Sequence, residues 1–192
     1  MTDMELYTWI KRVMNKDQAA FEILYEYTRD DIFRTVTFLM NNQSDVQDIV
    51  NEVYIQLWRS LPNYDPRRPF HLWLHGLVIR QVSNWRRKVW RMFRLLERSR
   101  LEERETELPA TEHRIVMKET NQELLQAIAR LSYKLRVVIV YRYFHDYTLE
   151  QIAALLNIPV GTVKSRHHLA LKEMRKQYTT QGIGKVEAQD VY

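Results

Sequence analysis

Apolar residues recur at intervals of three and four along most of this chain, a spacing that predicts helices. Leu6, Trp9, Ile10, Val13 and Met14 mark a first amphipathic helix. Beyond Asn15-Lys16-Asp17, a second helix carries Ala20, Phe21, Leu24, Tyr25, Thr28, Ile32, Phe33, Val36 and Leu39 as its buried stripe. Asn41-Asn42-Gln43-Ser44 interrupts the pattern, and Ser44 with Gln47 has the spacing of a capping box opening a third helix. On that helix Val46, Ile49, Val50, Val53, Leu57 and Trp58 share an apolar face. Asp48, Asn51, Glu52, Ile55 and Gln56 form the other side, polar except for the isoleucine. Three prolines between Leu61 and Phe70 impose an irregular loop. A fourth helix follows from Phe70, and its later part, Trp85 to Arg94, is dense in arginine and interleaved with aromatics.

From Leu95 to Lys118 the pattern is lost. Leu101 to Glu112 is acidic and broken by Pro109, which is the composition of a mobile linker. Periodicity resumes near Val116. Leu124, Leu125, Ile128, Ala129 and Leu131 form one stripe; Leu135, Val138, Ile139 and Tyr143 form another, with Arg136, Tyr141 and Arg142 expected outside. Phe144 to Tyr147 turns the chain. Thr148 and Gln151 then make a capping box for a short helix whose apolar face is Ile152, Ala153, Leu155 and Leu156. Asn157-Ile158-Pro159 ends it, because the residue before a proline is pushed out of the helical region. Gly161-Thr162 opens the next helix, exposing Thr162, Lys164, Ser165, Arg166 and His168 and directing Leu169, Leu171 and Met174 inward to about Lys176. Two short helices about a tight turn, the second polar and basic outside, are a helix-turn-helix with a recognition helix. The same pattern also fits a helical hairpin with a solvated basic face.

The fold class is therefore all-α: two small helical domains joined by a flexible acidic linker, the C-terminal one containing the helix-turn-helix. The expected ranges are 1–94, linker 95–117, second domain 118–178, and a disordered tail 179–192.

Composition narrows the function. A formal net charge of +5 permits a nucleic-acid partner. The chain has no cysteine, which removes disulfides, thiol catalysis and cysteine-ligated zinc. No apolar run approaches the ~20 residues that span a bilayer, and Met1 to Val13 lacks a cleavable hydrophobic segment, so a cytoplasmic protein without membrane insertion is expected. His71 and His75 sit four apart, but Leu72, Trp73 and Leu74 between them exclude the metalloprotease pattern. His167 and His168 are adjacent and point to different faces. No phosphate loop or nucleophile elbow occurs, so neither an enzyme nor a cofactor or metal is expected.

Ile158 to Arg166, preceded by Thr148-Leu149-Glu150-Gln151-Ile152-Ala153, resembles the C-terminal DNA-binding domain of bacterial sigma factors, and within the sigma-70 family the extracytoplasmic-function (ECF) group. The third helix is similar to the part of the N-terminal domain that grips the clamp helices of core RNA polymerase. The resemblance makes Asp48, Asn51, Glu52, Ile55, Gln56 and Trp58 the expected polymerase contacts; the family usually has glutamine where Asn51 stands. Phe70, Trp73, Leu74 and Trp85-Arg86-Arg87-Lys88 resemble the segment that melts the −10 promoter element. Its expected DNA contacts are Arg80, Asn84, Trp85, Arg86, Arg87 and Lys88. Gly76 and Arg80 stand where a basic residue and an asparagine are usual, and Asn84 where aspartate is commoner. Arg80 would lie near the pocket for a flipped-out base. Thr162, Lys164, Ser165, Arg166 and His168 would read the −35 element. In the family the linker threads through the polymerase near its active site, and an anti-sigma factor commonly holds the protein inactive. The implied partners are core RNA polymerase, promoter DNA and an anti-sigma factor. Two other readings stay open: a helix-turn-helix regulator acting on duplex DNA without polymerase, and an interaction protein working through its apolar N-terminal helices.

Overall fold

The computed structural model describes residues 3–100 and 119–180. Among them every regular element is helical, and the chain divides into two units, Met1–Val116 and Met117–Tyr192.

In the first unit α1 (Asp3–Met14) and α2 (Gln18–Leu39) meet at a corner where Lys16 takes a positive φ of 64°. Asp17 closes the corner twice over. Its carboxylate accepts the Ala20 amide as the N-cap of α2 and receives the Arg12 guanidinium at 2.8 Å. The amide bond, and then Arg12, hold that carboxyl below the usual carboxylate range. Leu6, Ile10 and Val13 bury against α2, whose own buried line is Ala20, Leu24, Thr28, Ile32, Thr35, Val36 and Leu39. Phe33, expected in that line, is 42% exposed, and Thr35 takes the inward place because its hydroxyl can bond back to the Asp31 carbonyl.

Ser44 does not cap the third helix. Asn42 accepts its amide and hydroxyl and caps a 3₁₀ turn, Gln43–Asp45, from which α3 (Val46–Ser60) starts directly. Gln47 bonds Asn51 instead. Val46, Ile49, Val50, Val53, Tyr54 and Leu57 bury on α3. Tyr54 is the inward residue the apolar pattern passed over: its hydroxyl meets that of Thr28 at 2.9 Å, and burial pushes its phenol well above its ordinary pKa. A 3₁₀ turn, Leu61–Asn63, begins the proline-rich loop, which Leu61 and Tyr64 anchor in the core. The last helix of the unit, α4, is Phe70–Arg100, so it continues past residue 94 into the first residues that the sequence assigns to the linker. His71 packs beside Tyr27 and Phe70, while His75, 2% exposed, pairs with Asp31 at 3.0 Å.

The second unit is built on α6 (Tyr133–Tyr143), against which α5 (Glu119–Arg130), α7 (Leu149–Leu156) and α8 (Val160–Thr180) all pack. A helix covered on all sides has no outer face, and Leu135 through Tyr141 are buried without interruption. Arg136 and Tyr141, expected outside, are 1% and 0% exposed, and Tyr143, expected inside, is 54% exposed. The Arg136 guanidinium is satisfied by the carbonyls of Ile128, Ala129 and Leu131, where α5 ends and its last acceptors lack helical partners. On α5 the inward small residue is Ala127 rather than Ala129, and Leu124 is partly exposed.

The capping box of α7 forms in both directions: Thr148 accepts from the Gln151 amide and Gln151 accepts from the Thr148 amide. Asn157 ends the helix in the left-handed conformation at φ 52°. Thr148→Ala is expected to cost about 1 kcal/mol. In a unit this small that is a fall of roughly 4–8 °C in melting temperature, readable by circular dichroism. The acidic stretch 101–112 and the tail from 181 lie outside the described residues, while Thr179 and Thr180, assigned to the tail by sequence, close α8.

Candidate nucleic-acid and polymerase interfaces

Three helices each commit one face to a core and leave the opposite face polar. On α3, Asp48, Asn51, Glu52 and Ile55 are exposed and Gln56 half-buried, all away from the Val46–Leu57 core side. Gln56 donates to Glu52 at 3.2 Å, and Ile55, 43% exposed, stands in the middle of this surface. Trp58 lies at its edge, half-buried, with its ring edge-on to Phe21 at 5.0 Å. The surface thus combines two carboxylates and two amides around a single apolar side chain. Arg59 continues it by the spacing 48, 52, 55, 59, a helical repeat that reading the acidic residues alone overlooked.

On α4 the core side is Leu74, Leu77, Val78 and Val82. Arg80, Asn84, Arg87 and Arg91 follow one another at i, i+4, i+7 and i+11, all exposed, with Lys88 alongside. Asn84 ties this arc together, accepting from Arg87 at 2.6 Å. Arg91 was visible in the basic run, but only its register places it with Arg80 and Arg87. Trp85 is not on the arc. It is half-buried on the other side, where it lines a cavity of about 270 Å³ with Met40, Arg86, Val89, Trp90 and Phe93. Trp90 is 57% exposed and covered on one face by the Arg94 guanidinium at 3.8 Å. A dense cationic arc of this kind can neutralise a run of phosphates.

On α8, Val163 and Ala170 are fully buried and set the inward direction. Lys164, Ser165 and His168 are exposed on the outside; Thr162 and Arg166 are half-buried on the flank. Ser165 donates its hydroxyl back to the Gly161 carbonyl at 3.0 Å, which engages its proton and leaves the exposed oxygen as an acceptor. Lys172 and Arg175 extend the exposed side down the helix, again by register rather than by proximity to the motif. Leu169 is not inward; it is 45% exposed. His167 points toward α6, its ring stacked on Tyr143 and its Nε2 3.0 Å from the tyrosine hydroxyl. Burial, and then Arg142 and His168, hold its pKa below the ordinary imidazole value, and of the two histidines His168 alone is exposed.

Comparison with known proteins agrees with this division into two units. The family model for Sigma-70 region 2 matches residues 24–92, and that for Sigma-70, region 4 matches residues 121–174. Among curated relatives, the ECF RNA polymerase sigma factor SigW of Bacillus subtilis is 29% identical over 191 residues, covering 91% of this chain and 97% of the relative. The ECF RNA polymerase sigma-E factor of Escherichia coli K12 is 28% identical over 173 residues, covering 86% and 88%. Of solved structures, CnrH in complex with the cytosolic domain of CnrY shares the fold at a TM-score of 0.63 and 19% identity, covering 90% of this chain and 96% of that one. RpoE of Bartonella quintana, solved with the anti-sigma factor NepR, does so at 0.62 and 16% identity, covering 86% and 98%. With both sigma regions in order along the chain and ECF factors matched over nearly its whole length, this protein belongs to the ECF group of the sigma-70 family.

Proposed function

We propose that the three polar faces divide the work of promoter-specific initiation. The observation that carries this is their register: each lies opposite a face already spent on the core, so none is needed to hold its unit together. The α3 surface (Asp48, Asn51, Glu52, Ile55, Gln56, with Trp58 at the rim) docks on core RNA polymerase. The α4 arc, Arg80, Asn84, Arg87 and Lys88 extended by Arg91, carries the backbone of the separated −10 strand, with Trp85 and Arg86 meeting it from the cavity side of the helix. The outer side of α8 enters the major groove of the −35 element through Lys164, Ser165 and His168, while Thr162 and Arg166 reach the groove walls. Domain limits follow the same division, with residues between α4 and α5 as the connection.

An anti-sigma factor acts as the inhibitor, a reading supported by RpoE having been solved with one. Among the described residues no helix is long and apolar enough to cross a membrane, and we place the protein in the cytoplasm with the polymerase it serves.

Permanganate reactivity of promoter thymines tests the division. Together with core polymerase, the protein renders thymines of the −10 element reactive; Arg87→Ala with Arg91→Ala loses that reactivity at unchanged polymerase affinity. Full reactivity in the double variant would remove the α4 arc from the proposal. In duplex binding, Arg166→Ala lowers affinity across sequences and reduces the salt slope by about 1.

A further inference from the structure

Leu169 breaks the rule of the helix that carries it. Ala170 occupies the inward position at this turn, fully buried, and leaves Leu169 45% exposed on the outside. Ser165, Leu169 and Lys172 follow at i, i+4 and i+7 and are all exposed, beside a parallel stripe of Lys164, His168 and Arg175. An isobutyl group therefore stands among the hydroxyl, imidazole and ammonium groups of the outer face. Single exposed leucines are common on protein surfaces. This one differs in its place, on the side of the second helix of a helix-turn-helix that faces a groove.

The major-groove edges of the base pairs offer donors, acceptors and one apolar feature, the C5-methyl of thymine. Leucine can neither donate nor accept, so it gains nothing from the other groups and buries apolar surface only against that methyl. We propose that Leu169 is a specificity residue that reads a thymine methyl in the −35 element. The inference rests on α8 being the −35 reader. Register places the thymine: four residues of helix advance about 6 Å. At roughly 3.4 Å per base-pair step, it lies one or two pairs from the base beneath Ser165. Ser165 supplies an outward acceptor for a base amino group, and Leu169 supplies the apolar contact next to it.

The test replaces each −35 thymine of a promoter duplex in turn by deoxyuridine, which keeps the hydrogen-bonding groups and loses only the methyl. Binding is measured with the full chain assembled on core polymerase. In the parent protein one replacement, and not the others, weakens binding about four-fold, the scale of one buried methyl. Leu169→Ala weakens binding to the unmodified duplex by a similar factor and becomes indifferent to that uracil. Its polymerase affinity stays unchanged and its melting temperature falls by no more than a few degrees, because nearly half of the side chain is already exposed. The same uracil penalty in Leu169→Ala as in the parent, or no penalty at any thymine in the parent, overturns the proposal. Lys164→Ala on these duplexes separates the two levels. Undiminished affinity there dismisses α8 as the DNA-facing helix, and Leu169 with it. Loss of affinity with the uracil penalty untouched by Leu169→Ala dismisses only the role of the leucine.

Discussion

Arg136→Ala is expected to unfold the C-terminal unit at growth temperature while the N-terminal unit still melts cooperatively. The guanidinium is 1% exposed and answers the carbonyls of Ile128, Ala129 and Leu131 at the end of α5. Alanine leaves those acceptors buried without their donor and opens a cavity between α5 and α6. Hydrogen bonds to a charged group contribute ~1.5–3 kcal/mol each. Each buried carbonyl left without a donor costs ~1–3 kcal/mol. A unit of this size has about 5 kcal/mol or less to lose. Arg136→Lys does not rescue it, because one ammonium cannot reproduce a planar fork directed at separate carbonyls. Hydrogen exchange would show α5 to α8 losing protection together while α2 and α3 keep theirs. Retained protection in α6 would mean that the α5 terminus is satisfied by other groups.

The second large effect is on assembly. Asp48→Arg with Glu52→Arg is expected to lower affinity for core polymerase about 100-fold or more. Close charge pairs at interfaces couple by ~1.5–7 kcal/mol, and reversal turns attraction into repulsion at both positions. Both carboxylates are exposed; Glu52 accepts an exposed bond from Gln56, and Asp48 lies in the first turn of α3, where its charge favours the helix by ~0.3–1 kcal/mol. The melting temperature should therefore fall by no more than a few degrees, far less than the loss of assembly. Co-migration with core polymerase in gel filtration gives the readout. Undiminished co-migration would move the docking surface off α3.

Much of the architecture is legible in the sequence because its signals are local. The α7–α8 pair is announced by Thr148, Gln151 and Pro159 and by the inward Ile152 and Ala153, and the structure returns each of them. What was not legible depends on neighbours distant in sequence. Helix α6 is enclosed by three others, so its composition shows no outer face, and a surface arginine and a core arginine look alike until the carbonyls of α5 are in place. Ser44 lost its capping role to Asn42, two residues earlier, a competition between two equally good local signals. The interface residues divide in the same way. Those spaced by three, four or seven, such as Asp48 with Glu52 and Arg80 with Arg87, share a face. A consecutive run such as Trp85-Arg86-Arg87-Lys88 must spread around the helix, which is why Trp85 leaves the arc. Leu169 and Ala170 form the sharpest case: adjacent apolar residues with opposite fates, decided by how closely α8 approaches α6.

The central claim is that this chain directs polymerase to start sites. Core polymerase, the purified protein and fragmented genomic DNA from the source organism suffice to test it, with transcript 5′ ends mapped. The account predicts discrete starts that require the protein and share one −35 and −10 pair upstream. Tight binding of the protein alone to repeated duplex half-sites, with no new starts and no association with core polymerase, would contradict it.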